Sequence, residues 1–155
     1  MAEPRADKVQ FELVSPEKLL LSEPVDMVVV PGGEGNFGVL IGHAPLISTV
    51  RPGVIDVYEG TKITERIFVA GGFAEVTPER CTVLADEAMP LSDLDKASID
   101  GELRGFEGTA ATLRDQVART SGSEHDEAAA ELVAIEKRIA VCNAKLQALS
   151  QGAAH

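Results

Sequence analysis

The residues whose spacing most directly suggests chemistry form the stretch Gly33-Glu34-Gly35-Asn36-Phe37-Gly38. This G-x-G-x-x-G pattern follows the apolar run Val28-Val29-Val30, which is typical of a buried strand. Asp56 lies roughly 20 positions further on, where the dinucleotide-binding fingerprint has an acidic residue for a ribose hydroxyl. The pattern raises the hypothesis of a nucleotide-dependent enzyme, which requires a helix directly after the motif.

The segment after the motif does not have the composition of a helix. Between Phe37 and Val50 the chain carries Gly42, Pro45 and several β-branched residues, which break helices or disfavour them. Asp56 falls within an alternating stretch, where it is most simply an outward-facing strand residue. A P-loop is excluded because no lysine follows the second glycine. The glycines therefore predict a loop between strands, and we assign no cofactor to it.

Other residue types that carry catalysis or bind metals are scattered along the chain. His43 is predicted in a loop, His125 at a helix start and His155 at the C-terminus, with no serine or cysteine arranged beside them. No cluster of His, Cys and carboxylates has metal-ligand spacing. Cys81 and Cys142 lie in apolar patterns and are predicted to be buried thiols, with a disulfide or a metal pair as the alternative. We predict no catalytic residue and no metal site.

The charge and hydropathy of the chain exclude several classes of partner. The 155 residues carry a formal net charge of -11, whereas a face that binds nucleic acid needs clustered Lys and Arg. No apolar stretch of about 18 residues is present to span a bilayer. The N-terminal MAEPRADKVQ lacks the apolar core of a secretory signal. We expect no nucleic-acid partner, no membrane insertion, and a location in the cytosol or an equivalent compartment.

Residues 8 to 87 have the pattern of many short strands separated by Gly and Pro. Apolar or alternating stretches recur at a spacing of roughly 8 to 12 residues. The stretches are VQFELVS, VDMVVV, FGVLI, LISTV, GVIDVY, KITERIFVA, FAEV and CTVLAD. This arrangement predicts a sandwich or barrel of antiparallel strands, without helices between them.

From about Ser92 the apolar period changes to that of helices. A capping-box pattern at Ser92 to Asp95 precedes a stripe formed by Ile99, Leu103, Phe106, Ala110, Leu113 and Val117. A similar start at Ser123 to Asp126 precedes a second stripe, formed by Ala128, Leu132, Ile135, Ile139, Cys142, Leu146 and Leu149. The short link RTSGS predicts an antiparallel helical hairpin. The fold class is therefore α+β, with a β-sandwich in residues 1–89 and a helical hairpin in residues 90–155.

Three glycines, Gly101, Gly105 and Gly108, lie together on the side of the first helix opposite its stripe. Each costs roughly 0.8 to 1 kcal/mol relative to alanine. Either these small residues let another surface approach the backbone closely, or the helix tolerates glycine where nothing packs. In both cases the helix is weak by itself.

Several motifs follow one another in a fixed order along the sandwich and into the first helix. They are GNFGVL at 35–40, GHAPL at 42–46, RPGVI at 51–55, GGFAEV at 71–76, and TVLADEA at 82–88 leading to Asp93-Leu94-Asp95. In this order they resemble the ε subunit of the F-type ATP synthase. The resemblance implies a ten-stranded sandwich followed by a helical hairpin, in a non-catalytic subunit of this H+-transporting ATPase that holds no cofactor.

The resemblance also implies partners and a location. This subunit belongs to the rotating central stalk, where it binds the γ subunit, is seated on the c-ring and couples the two. In many bacteria its hairpin can extend towards the α and β subunits and restrain ATP hydrolysis. It lies peripherally at the cytoplasmic face of the bacterial inner membrane and meets the membrane only through the complex. A generic sandwich-and-hairpin adaptor with an unrelated partner is the alternative.

The resemblance places candidate rotor contacts in two loops. In the family, the loop matching Gly33 to Gly38 meets the polar loops of the c-ring, and the segment matching Gly42 to Pro45 lies nearby. The interface candidates are Glu34, Asn36, Phe37 and His43. Many family members have an acid where Asn36 carries no charge. Alternatively, the glycines only build turns and His43 is a structural loop residue bonded to nearby backbone.

The helical segment resembles two regulatory features of the family only in part. Some relatives carry a nucleotide motif, Leu/Ile-Asp-x-x-Arg-Ala, of which Leu94 and Asp95 remain while Ser98 and Ile99 replace the last two residues. Without the arginine fork that binds an anion, we predict weak or absent ATP binding and expect Asp95 at position N3 of the helix cap. In inhibitory relatives basic hairpin residues meet the β subunit. Here the second helix begins with acids and carries its bases later, so we expect weak restraint of hydrolysis.

Overall fold

A computed structural model describes residues 7–153 of the chain, which divides into two compact units. The first unit extends to Asp93 and the second begins at Leu94. The sequence predicted the boundary between sandwich and hairpin to lie between residues 89 and 90. The last strand and a short 3-10 turn, Leu91–Asp93, continue the first unit to the later position.

Ten strands build the described part of the first unit, as the resemblance implied. They are β1 (Val9–Val14), β2 (Leu19–Val25), β3 (Met27–Gly32), β4 (Gly35–Val39), β5 (Leu46–Val50), β6 (Gly53–Glu59), β7 (Lys62–Val69), β8 (Gly72–Val76), β9 (Arg80–Ala85) and β10 (Ala88–Pro90). The apolar stretches predicted all except β2 and β10. β2 exposes its first leucines and contains Pro24, which an edge strand tolerates.

The strands form one sheet in the order β10-β7-β6-β3-β5-β8-β9-β1-β2, with β4 paired to β3 outside this path. The pairing is antiparallel as predicted, with one exception. β1 and β9 are parallel, from Gln10 opposite Arg80 to Val14 opposite Leu84. A parallel pair needs a long connection, and most of the sandwich lies between these two strands in the sequence.

One continuous apolar core holds the sandwich together. Burial alternates along β1, so that Val9, Phe11 and Leu13 lie in the core while Gln10 and Glu12 are half-buried. The other strands contribute Val25, Val28, Val30, Val39, Val50, Ile55, Val57, Ile67, Val69, Ala74, Val76, Cys81, Val83 and Ala85. Burying a side chain the size of Val or Leu contributes about 1.5–3 kcal/mol. The core therefore fixes the strands from which the loops project.

Two helices build the described part of the second unit, α1 (Lys96–Arg119) and α2 (Gly122–Ala153). Only Thr120 and Ser121 link them. Residues late in α1 contact residues early in α2, and residues earlier in α1 contact residues later in α2. These contacts join His125 to Val117, Glu136 to Arg114, and Arg138 to the ring of Phe106. The unit is the predicted antiparallel hairpin. Neither described helix is long and apolar enough to cross a membrane.

The predicted stripe is the least exposed part of α1. Ile99, Ala110 and Leu113 are buried, and the other three stripe residues are half-buried. On the opposite side, a Cβ atom built at Gly105 or Gly108 meets no atom within 4 Å, and the same holds for Gly101. Within the helical unit, these glycines therefore lie where nothing packs against them.

The first helix begins later than predicted. Asp95 is its N-cap residue, and the Asp95 carboxylate accepts a hydrogen bond from the Ser98 N–H at 3.0 Å. Asp95 is therefore not the N3 residue that we predicted, because Leu91–Asp93 forms a separate 3-10 turn and leaves Ser92 outside the α-helix. α2 begins at Gly122, so Ser123 lies inside the helix and does not precede it.

Candidate interaction site

The glycine-rich motif forms the tip of the β3–β4 hairpin. Gly32 pairs with Gly35, which leaves Gly33 and Glu34 as the two turn residues. Gly35 has a φ of 140°, a conformation that favours glycine. A Cβ atom on Gly32 would lie 2.6 Å from the Gly35 carbonyl oxygen and 2.9 Å from the ring of Phe37. The glycines therefore serve a tight turn between two strands, and no helix follows to receive a phosphate.

Arg51, directly after β5, is hydrogen-bonded to this tip. Its guanidinium donates to the Gly32 carbonyl oxygen and to Asn36 Oδ1, each at 2.5 Å. Its backbone N–H donates to the Pro31 carbonyl oxygen at 2.9 Å. Because a guanidinium offers only donors, the amide oxygen of Asn36 faces it. Arg51 was not among the predicted site residues, since the sequence gives no sign of a contact between the end of β5 and the β3–β4 turn.

The other predicted residues of the hairpin differ in accessibility. Glu34 and Asn36 are exposed at the tip, where a partner can reach them. Phe37 is half-buried and packs against the core below the tip. Its observed contacts are therefore those of packing, and its part in an interface stays a prediction.

His43 lies at the opposite end of β4 from the tip. Its Nδ1 donates to the Ala44 carbonyl oxygen at 2.6 Å, and the Gly42 N–H donates to the Pro78 carbonyl oxygen at 2.6 Å, in the β8–β9 turn. β4 separates the two loops by about 13 Å, from a rise of roughly 3.3 Å per residue. The two loops lie at opposite ends of β4 and β5, and the contact of each with the rotor stays a prediction. The backbone bond of His43 is the one that the structural alternative predicted.

The segment of Leu94 and Asp95 caps the first helix. Hydrogen bonds from the hydroxyl and the N–H of Ser98 hold the pKa of the Asp95 carboxyl below its ordinary value. Ile99 is buried, with 5% of its surface exposed. The two positions that carry Arg and Ala in the nucleotide motif thus hold a capping contact and an apolar contact, and neither offers a cation to a phosphate.

An apolar row lies exposed on the outer face of the sandwich. Phe73 on β8 is paired with Leu84 on β9, Leu84 with Val14 on β1, and Val14 with Leu19 on β2. Phe73, Leu84 and Leu19 are 57%, 52% and 55% exposed. Neighbouring strands lie about 4.8 Å apart, so this outer row is about 14 Å long. A contiguous exposed apolar surface is typical of a contact with another protein.

Two carboxyl groups meet between β2 and β7. Glu23 and Glu65 are both half-buried, and Glu65 Oε2 is buried with no partner among the described residues while both groups are ionised. A proton on Glu23 supplies the missing donor. This hydrogen bond with Glu65, together with burial and the negative charges of Glu65 and Glu59, raises the pKa of Glu23 to about 7. The nearby Lys8 is paired with Glu59 at 2.5 Å and with Asp26 at 3.2 Å.

The described residues show no arrangement for catalysis or metal binding. Within residues 7–151 no group of three or more His, Cys, Asp or Glu side chains is placed to hold a metal ion. Cys81 and Cys142 are both buried thiols, as predicted. Burial raises the pKa of the Cys81 thiol to about 12, so that it is not a nucleophile at neutral pH. His125 Nδ1 donates to the Val117 carbonyl oxygen at 2.9 Å, and His155 lies outside the described residues.

Comparison with known proteins connects this arrangement to one family. Residues 8–91 match the profile of the β-sandwich domain of the ATP synthase delta/epsilon chain. Over 132 residues the chain is 50% identical to the ATP synthase epsilon chain of Rhodospirillum rubrum, covering 85% of this chain and 98% of that relative. The chain belongs to the ATP synthase epsilon family. Members of this family are non-catalytic subunits of the ATP synthase, and so is this chain. The family predicted from the resemblance is confirmed.

Two further comparisons extend over most of the chain. The epsilon chain of Rhodospirillum centenum is 53% identical over 147 residues, which cover 94% of each chain. A chain in the cryo-EM structure of the Euglena gracilis mitochondrial ATP synthase, OSCP/F1/c-ring, is similar with a TM-score of 0.65 at 21% identity. That likeness covers 96% of this chain and 84% of the other. It shows that the sandwich and the two helices follow a known fold.

Proposed function

We propose that this chain is the central-stalk subunit that couples the γ subunit to the c-ring of a proton-translocating ATP synthase. The observation that carries the proposal is the similarity to an epsilon chain over 98% of that relative's length, sandwich and helices together. The subunit works peripherally at the cytoplasmic face of a bacterial inner membrane, which it meets only through the complex. Its task is mechanical, since the chemistry belongs to other subunits.

The sandwich offers a separate surface for each partner. The hairpin tip, with Glu34 and Asn36, is polar and narrow and fits the polar loops of the c-ring. The outer row of Phe73, Leu84 and Leu19 is apolar and broad, and suits the larger contact with γ. A rigid sheet with one partner at a hairpin tip and another on its outer face transmits force between them through its core.

The hairpin has a minor regulatory part in this proposal. The first turns of α2 carry Glu124, Asp126, Glu127 and Glu131, which repel an acidic segment of a β subunit. Ser98 and Ile99, at the Arg and Ala positions of the nucleotide motif, offer no cation to a phosphate. We expect an extended hairpin to contact the α and β subunits only weakly and to restrain ATP hydrolysis little.

Affinity capture from detergent-solubilised membranes tests the proposal. The tagged full chain should recover γ and c subunits, and Phe73→Lys or Leu84→Lys should reduce the recovery of γ at least tenfold. Ile63→Lys is the matched control, because Ile63 is 42% exposed on β7 and lies outside the outer row. Recovery of other proteins without γ and c would instead support a generic adaptor.

A further inference from the structure

The hydrogen bonds of Arg51 determine which group the tip presents. Asn36 Oδ1 is occupied by the guanidinium at 2.5 Å, so the amide NH2 lies on the side of the amide carbon away from Arg51. Asn36 is exposed, and no hydrogen bond from its NH2 to another described residue is formed. The side chain therefore offers a donor to a partner at a fixed position.

The second hydrogen bond of the guanidinium makes this position rigid. Arg51 also donates to the Gly32 carbonyl oxygen at 2.5 Å, while its own N–H is bound to Pro31. Three bonds thus tie Arg51 to β3 and β4 on both sides of the turn. A planar guanidinium fork holds two acceptors at once. The ammonium of a lysine is a single point of charge and cannot hold both equally well.

Charge indicates what kind of acceptor the partner supplies. Glu34 is exposed two residues before Asn36 and carries a formal charge that offsets that of Arg51 at the tip, while the whole chain carries a formal net charge of -11. The net negative charge of the chain therefore disfavours an anionic acceptor, whereas it does not act against a backbone carbonyl or a neutral side-chain oxygen. An uncharged oxygen in a polar loop fits the donor that Asn36 presents.

We propose that Arg51 is a positioning residue for the rotor contact, and that it orients Asn36 so that the amide NH2 donates to an uncharged oxygen of the c-ring loop. This inference rests on the proposed function, since it takes the c-ring as the partner. In this chain the contact at position 36 is a hydrogen bond from a neutral amide. Family members with an acid at this position would present a negative charge there.

Two variants, Asn36→Asp and Arg51→Lys, test this inference in different ways. An aspartate at position 36 would pair with Arg51 and present no donor, so affinity for the rotor falls about three- to tenfold, the range of one net hydrogen bond. Arg51→Lys keeps the charge and frees the amide, and affinity falls by a similar factor. Because Arg51 acts through Asn36, the double variant should bind no more weakly than Asn36→Asp alone.

The experiment titrates the labelled full chain against detergent-solubilised ATP synthase depleted of its epsilon chain. Arg66→Lys is the matched control. Arg66 lies on β7, away from the hairpin tip, and its Nε pairs with Asp56 Oδ1 on β6 at 2.9 Å. The affinity of this variant for the depleted enzyme should equal that of the wild type. The NMR signal of the Asn36 side-chain amide in the free chain should shift in Arg51→Lys and not in Arg66→Lys.

Two outcomes separate this inference from the proposed function. If the wild-type chain does not bind the depleted enzyme, the proposed function fails. If the wild type binds and either Asn36→Asp or Arg51→Lys binds equally well, or their effects multiply in the double variant, the orientation of Asn36 by Arg51 is refuted while the proposed function stands.

Discussion

Replacing Glu23 by glutamine should change how the stability of the sandwich depends on pH. In the wild type, Glu23 and Glu65 share a proton between β2 and β7, and the pKa of Glu23 is raised to about 7. An unfolded chain releases that proton near the ordinary value of 4.5. Between these two values the folded state binds more protons than the unfolded state, so stability falls as pH rises.

The size of the effect follows from the pKa difference and from solvent access. A pKa unit corresponds to about 1.36 kcal/mol, so that the full difference is an upper limit of about 3.4 kcal/mol. Glu23 is only half-buried, and solvent screens part of the repulsion. We expect about 1–2 kcal/mol to be lost between pH 4.5 and pH 7, with no further loss from this group above about pH 8.

Glutamine at position 23 supplies the donor to Glu65 at every pH. Glu23→Gln should therefore equal the wild type in free energy of unfolding near pH 4.5 and exceed it by about 1–2 kcal/mol at pH 8. Urea unfolding of the full chain, followed from pH 4.5 to pH 8.5, measures the difference. Glu17→Gln, at an exposed turn position, is the control and should leave the pH dependence unchanged. An identical slope in wild type and Glu23→Gln would refute the shared proton.

Four other predictions test separate parts of the structure. Gly105→Ala should raise the helical content and stability of α1 by about 0.8–1 kcal/mol in thermal unfolding, since its Cβ meets open space; destabilisation would show a hidden contact. Gly72→Ala should abolish folding by circular dichroism, because its Cβ would lie far inside van der Waals contact with the Leu84 carbonyl oxygen. Calorimetry should detect no tight ATP binding to the full chain. Removing residues 94–155 should raise ATP hydrolysis by the assembled enzyme less than about twofold; a large rise would contradict weak restraint.

Periodicity predicted the elements whose burial follows a simple alternation. β1 and the stripe of α1 were predicted correctly, because each buries one face and exposes the other. β2 was missed since its leucines at 19 and 20 are exposed and Pro24 interrupts it. The cap at Asp95 was misplaced because Ser92 and Asp95 both fit a start pattern, and only the 3-10 turn before Asp95 decides between them.

The candidate site depended on pairings that no local pattern contains. The turn at Gly33 and Glu34 was predicted, whereas its contact with Arg51 arises only because β5 ends beside β3. The separation of His43 from the tip follows from the direction of β4, which the loops themselves do not reveal. Glu23 and Glu65 belong to strands far apart in the sequence, and their contact exists only in the closed sandwich.

Proton pumping by membranes depleted of the epsilon chain tests the coupling role most directly. Addition of the purified chain should restore ATP-driven acidification of inverted vesicles, and Phe73→Lys at equal concentration should restore much less, because we propose that the outer row contacts γ. Ile63→Lys should restore pumping like the wild type. If the wild-type chain binds the depleted membranes and pumping does not return, the claim that this subunit couples γ to the c-ring is contradicted.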